Sequence, residues 1–149
     1  MRRVARILWA VLGLMQAGAV AFAQPAACSR TEFETAVSEA AQALGQLTQK
    51  NTPPFQEQLR QLKDKRNWSH DQFMAEAAPF VQDDSITEFD NRAGEHLDRI
   101  NSMSSAGSSA RTPDCRLLAE LRANMKALVE TQTAKWAYMF KKLDAELAK

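Results

Sequence analysis

Apolar residues recur every three or four positions along most of the chain, which is the spacing of amphipathic helices. The longest such stretch runs from Thr112 to Lys149, and after Pro113 no glycine or proline interrupts it. Thr112 can cap this helix and Pro113 suits its first turn, so the pattern predicts a helix about 50 Å long. Its apolar stripe consists of Leu118, Leu121, Met125, Leu128, Trp136, Met139, Leu143 and Leu147.

Capping signals and a pair of prolines define a first helix near the start of the chain. Ser29 with Glu32, or Thr31 with Glu34, fits a capping box that opens it. The segment 51–54 is expected to end it, because proline lacks a backbone N–H and clashes with the preceding helical turn.

Two short helices are predicted next. Thr52 can cap the first of them. Ser69 with Gln72 forms a capping box for the other. Pro79 predicts a break or kink at Ala78, because the residue before a proline avoids helical backbone angles.

A fourth helix is predicted from about Asp84 to Met103, followed by a flexible polar linker over 104–109. If the five helices reverse direction at each connection, the first and the last run parallel. The pattern therefore predicts an all-α fold, an up-and-down bundle of four to five helices with a long C-terminal helix.

The segment 1–23 has the composition of a cleaved signal peptide. Three arginines precede an apolar run over 7–22, and the small residues Ala21 and Ala23 suit a signal peptidase. The apolar run is shorter than the roughly 20 residues of a membrane-spanning helix. We therefore predict cleavage after Ala23, one helical-bundle domain over 24–149, no membrane span after cleavage, and a periplasmic or secreted location.

The balance of charge argues against nucleic acid as a partner. The chain has 19 basic and 18 acidic residues, and the predicted signal peptide removes three arginines, which leaves 16 basic against 18 acidic residues. Nucleic-acid binding needs a concentrated basic surface, so we expect no nucleic-acid partner.

The two cysteines, Cys28 and Cys115, predict one disulfide, since an isolated pair in an exported chain is usually oxidised. The bond would join the starts of the first and last helices, which agrees with a parallel direction for the two. The alternative is lipidation of Cys28, which follows two small residues, although Pro25 stands where a bulky aliphatic residue is expected.

We find no catalytic motif and predict that the protein is not an enzyme, with no metal and no cofactor. His96 adjoins the apolar stripe of the fourth helix and is either a structural or merely exposed residue or a ligand for haem or a metal. A bundle metal site generally repeats its ligands on a facing helix, and that repetition is missing. Gln132 interrupts the stripe of the last helix, so it either fixes the packing register or lines a small pocket.

Aromatic and basic residues are concentrated in the second half of the last helix. If the first helix ends before Pro53, this half extends beyond it, and only Trp68, Phe73, Phe80 and Val81 can cover it. Either these residues form a second core with it, or it is a partner-binding surface. The candidate contact residues are Trp136, Tyr138, Phe140, Lys135, Lys141 and Lys142.

The leading functional hypothesis is an exported, non-enzymatic helical protein that binds another envelope or secreted protein, as an adaptor, inhibitor, immunity protein or chaperone. The alternative is a periplasmic carrier of a small ligand, haem or a metal in the bundle interior, with His96 and Gln132 as the candidate residues.

Overall fold

The computed structural model describes residues 28–112 and 114–149, which form four α-helices. The predicted all-α bundle with a long C-terminal helix is confirmed. None of the described helices is both long and apolar enough to cross a membrane. The predicted signal peptide lies outside the described residues. The helices are α1 (Arg30–Arg66), α2 (His70–Val81), α3 (Asp84–Ser109) and α4 (Cys115–Leu147).

Capping boxes start the first two helices. The Ser29 hydroxyl accepts a hydrogen bond from the Glu32 N–H at 3.3 Å, and the Glu32 carboxylate accepts one from the Ser29 N–H at 2.8 Å. Ser69 and Gln72 form the same pair of bonds at the start of α2. These bonds satisfy backbone donors that have no partner inside the helix.

The last helix begins two residues later than predicted, with Asp114 rather than Thr112 as its cap. The Asp114 carboxylate accepts hydrogen bonds from the backbone N–H groups of Arg116 at 2.8 Å and Leu117 at 3.4 Å. Asp114 also places negative charge at the positive end of the helix dipole, which a threonine cannot do.

The prediction that the segment 51–54 ends the first helix is wrong. α1 continues through both prolines to Arg66, so the predicted first and second helices are one helix of 37 residues, and Thr52 lies inside it. The prolines remove the donors for the carbonyls of Gln49 and Lys50. Both residues are exposed, so water can solvate these carbonyls.

Two further predicted interruptions are also helical. α2 continues past Pro79 to Val81, and α3 continues through the predicted linker 104–109. In α3 the reason is a tertiary contact. Gly107 is buried against the ring of Phe33 in α1, so closely that an added Cβ would lie 2.3 Å from a ring carbon. This close approach of α1 stabilises the last turns of α3.

The predicted disulfide between Cys28 and Cys115 is confirmed, with the two Cα atoms 5.4 Å apart. α1 and α4 run parallel from this bond, and an ion pair of 3.9 Å joins Glu32 to Arg122 near it. α3 runs antiparallel to both. The parallel direction therefore arises from three long helices and one short connecting helix, α2, and not from five alternating helices.

The described interior contains two clusters of buried side chains, one at each end of the bundle. The disulfide-end core is mainly aliphatic and joins α1, α3 and α4. The aromatic-end core joins all four helices. The disulfide-end core consists of Cys28, Phe33, Ala36, Ala93, Ile100, Leu118, Leu121, Met125 and Leu128. The aromatic-end core consists of Phe55, Leu62, Phe80, Ile86, Met139 and Leu143.

Candidate functional site

Two of the six candidate partner-binding residues, Trp136 and Phe140, face α1. Their rings meet the ring of buried Phe55 edge-on, at centroid separations of 5.8 Å and 5.5 Å. Both side chains are half-buried and pack against the aromatic-end core. These contacts hold the second half of α4 against α1.

The prediction that this half of α4 extends beyond the first helix is wrong, because α1 does not end at the prolines. It reaches Arg66, which forms an ion pair of 3.1 Å with Glu146 near the end of α4. Among the residues predicted to cover the aromatic segment, Phe80 is buried in the aromatic-end core and Trp68 packs against it. Val81 is 48% exposed and does not contribute.

Tyr138 and Lys142 face α3 and meet Asp83, the cap of that helix. The Asp83 carboxylate accepts hydrogen bonds from the Lys142 ammonium group, from the Ile86 N–H at 2.8 Å and from the Tyr138 hydroxyl at 2.9 Å. The bond from Lys142, followed by that from Ile86, lowers the pKa of Asp83 from its ordinary 3.8 to about 2. The ionised carboxylate therefore ties the start of α3 to α4.

The two remaining candidates differ from each other. Lys135 forms an ion pair of 2.5 Å with Asp90 of α3, whereas Lys141 is exposed. The six residues therefore do not share one face: two face α1, three face α3 and one faces solvent. Partner binding through them stays a prediction.

His96 contacts α4 through a hydrogen bond between its Nδ1 and the side-chain oxygen of Asn124, at 3.2 Å. The Asn124 amide nitrogen donates to the Glu120 carbonyl, so its oxygen faces the imidazole and Nδ1 is the donor. Within the described ranges, no group of three His, Cys, Asp or Glu side chains is placed to hold a metal ion.

Gln132 lines a cavity of about 200 Å³ between α1, α3 and α4. Leu44 and Thr48 contribute from α1, Leu97 from α3 and Trp136 from α4. His96 does not line this cavity. The two residues that the sequence suggests as pocket or ligand residues therefore lie at separate places in the bundle.

A larger groove, of about 450 Å³, lies between α1 and α4 in the disulfide-end half. Its floor is small or apolar, and its borders carry charges of both signs. The floor is formed by Ala36 and Ala40 of α1 and by Met125 and Val129 of α4. The borders are formed by Glu39 on α1 and by Arg122, Lys126 and Glu130 on α4.

The sequence indicates this groove only weakly. None of the candidate residues predicted from the sequence lines it. Ala36 and Ala40 are two small residues four positions apart, so they lie on one face of α1. Small side chains at this spacing leave a depression between larger neighbours. The same spacing is common in ordinary helix packing, so it does not by itself predict a binding surface.

Comparison with known protein families, with curated proteins and with solved structures gives no match.

Proposed function

We propose that this chain is an exported, non-enzymatic helical bundle that acts by binding another protein, and that the groove between α1 and α4 receives an amphipathic helix of that partner. The observation that carries the proposal is the groove itself. Its apolar floor lies between two helices and is lined by no described residue outside them. Apolar surface bordered by charges is typical of protein–protein contact sites.

The shape of the groove favours a helix as its occupant. α1 and α4 run parallel along it, and the small side chains of Ala36 and Ala40 keep its α1 side low. A helix in this position would place apolar residues, spaced three and four apart, onto Ala40 and Val129, the half-buried residues of the floor. It would occupy the position of a fourth long helix, since the described disulfide-end core is built from α1, α3 and α4.

The charges at the borders specify the partner further. Glu39 lies on the α1 side, and Arg122 and Lys126 lie on the α4 side. We expect the partner helix to present basic residues toward Glu39 and acidic residues toward Arg122 and Lys126, although Glu130 also lies on the α4 side. The existing pairs of Arg122 with Glu32 at 3.9 Å and of Lys126 with Glu130 at 3.7 Å are exposed, so their rearrangement costs little. Border charges of this kind mainly set association rate and specificity.

The disulfide supports an exported location, because such bonds form and persist in oxidising compartments. The predicted signal peptide over 1–23 agrees with it. We propose the periplasm of a bacterium or the extracellular space as the location, and a protein of that compartment as the partner.

The test uses two neighbouring alanines of α1. Ala40 lines the groove, whereas Ala41 is exposed outside it. Wild type, A40Q and A41Q serve as baits for affinity capture from the native compartment. The partner should be recovered with wild type and A41Q and lost with A40Q. Circular dichroism and thermal melts establish that both variants fold.

A third variant, K141E, distinguishes the groove from the aromatic end, since Lys141 is the exposed member of the six candidate residues. Loss of the partner with K141E but not with A40Q would overturn the groove as the contact site and favour the aromatic end. Failure of every bait to capture a protein, even after chemical cross-linking in intact cells, would contradict protein binding as the function.

A further inference from the structure

We infer that the cavity at Gln132 is a binding site for a small, uncharged amphipathic molecule, with an apolar body about the size of one aromatic ring and a single hydroxyl or carbonyl group. The inference goes beyond protein binding and does not depend on it. The cavity and the groove between α1 and α4 share no lining residue.

The cavity lies where the bundle passes from one core to the other. Leu44 packs against the disulfide-end core, and Trp136 packs against the aromatic-end core. Between them α4 carries the half-buried Gln132 and α1 carries the exposed Thr48, so the cavity is open to solvent on the side of Thr48. A volume of about 200 Å³ stays unfilled.

The volume of the cavity limits the size of the ligand, and the side chains that line the cavity determine how polar the ligand can be. An apolar cavity of about 150 Å³ holds benzene, so this cavity holds a ring with one substituent. Four leucines and one indole line it. One of these leucines, Leu97, is 45% exposed, and a ligand beside it would remove apolar surface from water.

Three polar groups explain why the ligand should carry one hydrogen-bonding group. Gln132, Thr48 and Trp136 line the cavity, and the side chain of none of them forms a hydrogen bond with a residue in the described ranges. No charged side chain lines the cavity, so an ionised ligand would lack a counter-charge there. A neutral molecule with one hydroxyl or carbonyl group fits both conditions.

The test uses benzyl alcohol and toluene, which share a ring and differ by a hydroxyl group. Methyl resonances of the intact, disulfide-bonded protein are followed by NMR during titration with each compound. We expect saturable shifts at Leu44, Leu97 and Leu128, which line the cavity. Shifts that do not saturate, or that map to other methyl groups, would overturn the site.

The variant Gln132→Leu tests the hydrogen bond. It should change the ratio of the two affinities about five-fold in favour of toluene, because one net hydrogen bond corresponds to roughly that factor. The matched control is Gln46→Leu, the same change at an exposed position of α1, which should leave the ratio unaltered. An unaltered ratio with Gln132→Leu would contradict the proposed amphipathic ligand.

A second variant keeps the proposal testable if Gln132→Leu does not fold. Leu97→Phe enlarges a half-exposed side chain that lines the cavity, so the fold should tolerate it. It should abolish the saturable shifts for both compounds. Unchanged binding of both compounds by Leu97→Phe would show that they bind elsewhere.

Discussion

The two halves of the bundle are held together in different ways. The disulfide-end core is mainly aliphatic, and a covalent bond joins the starts of α1 and α4 beside it. The aromatic-end core is closed by ring contacts around Phe55. It is closed further by the hydrogen bonds that Asp83 accepts from Lys142 and Tyr138.

The two halves also differ in how completely they are covered. At the aromatic end, α2 adds a fourth helix, and its Phe80 is buried in the core. At the disulfide end, the groove between α1 and α4 stays open. The disulfide holds the starts of α1 and α4 together even where these helices bury little apolar surface. This end of the bundle can therefore keep an open groove. We therefore propose the disulfide end, with its open groove, as the protein-binding part of the bundle, and the aromatic end as the part that mainly holds the helices together.

The largest loss of stability is expected for Phe55→Ala in the aromatic-end core. Truncation of a buried phenylalanine costs about 3–5 kcal/mol, and the lost contacts with Trp136 and Phe140 place this variant near the upper limit. The free energy of unfolding in urea measures the effect. Phe33→Ala is the matched variant at the other end, where the ring packs on Gly107, and its loss should be smaller. A larger loss for Phe33→Ala would contradict the role given to the ring contacts.

Reduction of the disulfide is expected to lower the free energy of unfolding by about 4.6 kcal/mol in the chain-entropy account, since the bond joins residues 87 positions apart. Urea unfolding with and without a reductant measures the loss. Amide hydrogen exchange should then accelerate first in the early turns of α1 and α4. If amide hydrogen exchange accelerated first at the aromatic end, the claim that the disulfide mainly holds the other end together would be contradicted.

A smaller loss, of about 1–2 kcal/mol, is expected for Gly107→Ala. The new methyl group would collide with the Phe33 ring, and overpacking outweighs the higher helix propensity of alanine. Gly94→Ala is the control in the same helix. Nothing lies within 4 Å of its added Cβ, so it should stabilise the fold by up to about 1 kcal/mol. Equal stabilisation by both changes, in thermal melts, would contradict close packing of α3 on α1.

The smallest effect is expected from the carboxylate that ties α3 to α4. The pKa of Asp83 is about 2 in the folded protein, below its ordinary 3.8. A lowered folded-state pKa contributes stability above about pH 4, and this contribution is lost as the pH falls through about 2. Asp83→Asn keeps a capping side chain and should be less stable than wild type at neutral pH. Urea unfolding should show that the stabilities of wild type and Asp83→Asn become equal as the pH falls. A stability difference that grows in acid would contradict the role given to the ionised Asp83 carboxylate.

Much of the fold follows from local signals in the sequence. The cysteine pair, the stripe of the last helix and the capping boxes at Ser29 and Ser69 each predict what the structure contains. These features depend on residues close in sequence, or on a covalent bond with no competing partner. Their physical causes are therefore visible without tertiary structure.

The errors occur where tertiary packing outweighs a local signal. The prolines of the segment 51–54 lie on an exposed face, and buried Phe55 and Leu62 keep α1 helical beyond them. The serine-rich segment 104–109 is helical because Gly107 packs on Phe33. The groove is missed for a related reason, since only the relative placement of α1 and α4 turns two alanines into its floor.

The most direct test of the central claim is site-specific photo-cross-linking in the native compartment. A photoreactive amino acid replaces Lys126, at the border of the groove, or Lys50, which is exposed on α1 outside it. We expect position 126 to cross-link to one protein of that compartment and position 50 to give no such product. Equal cross-linking from both positions, or a product from position 50 alone, would contradict the assignment of the groove as the partner-binding site.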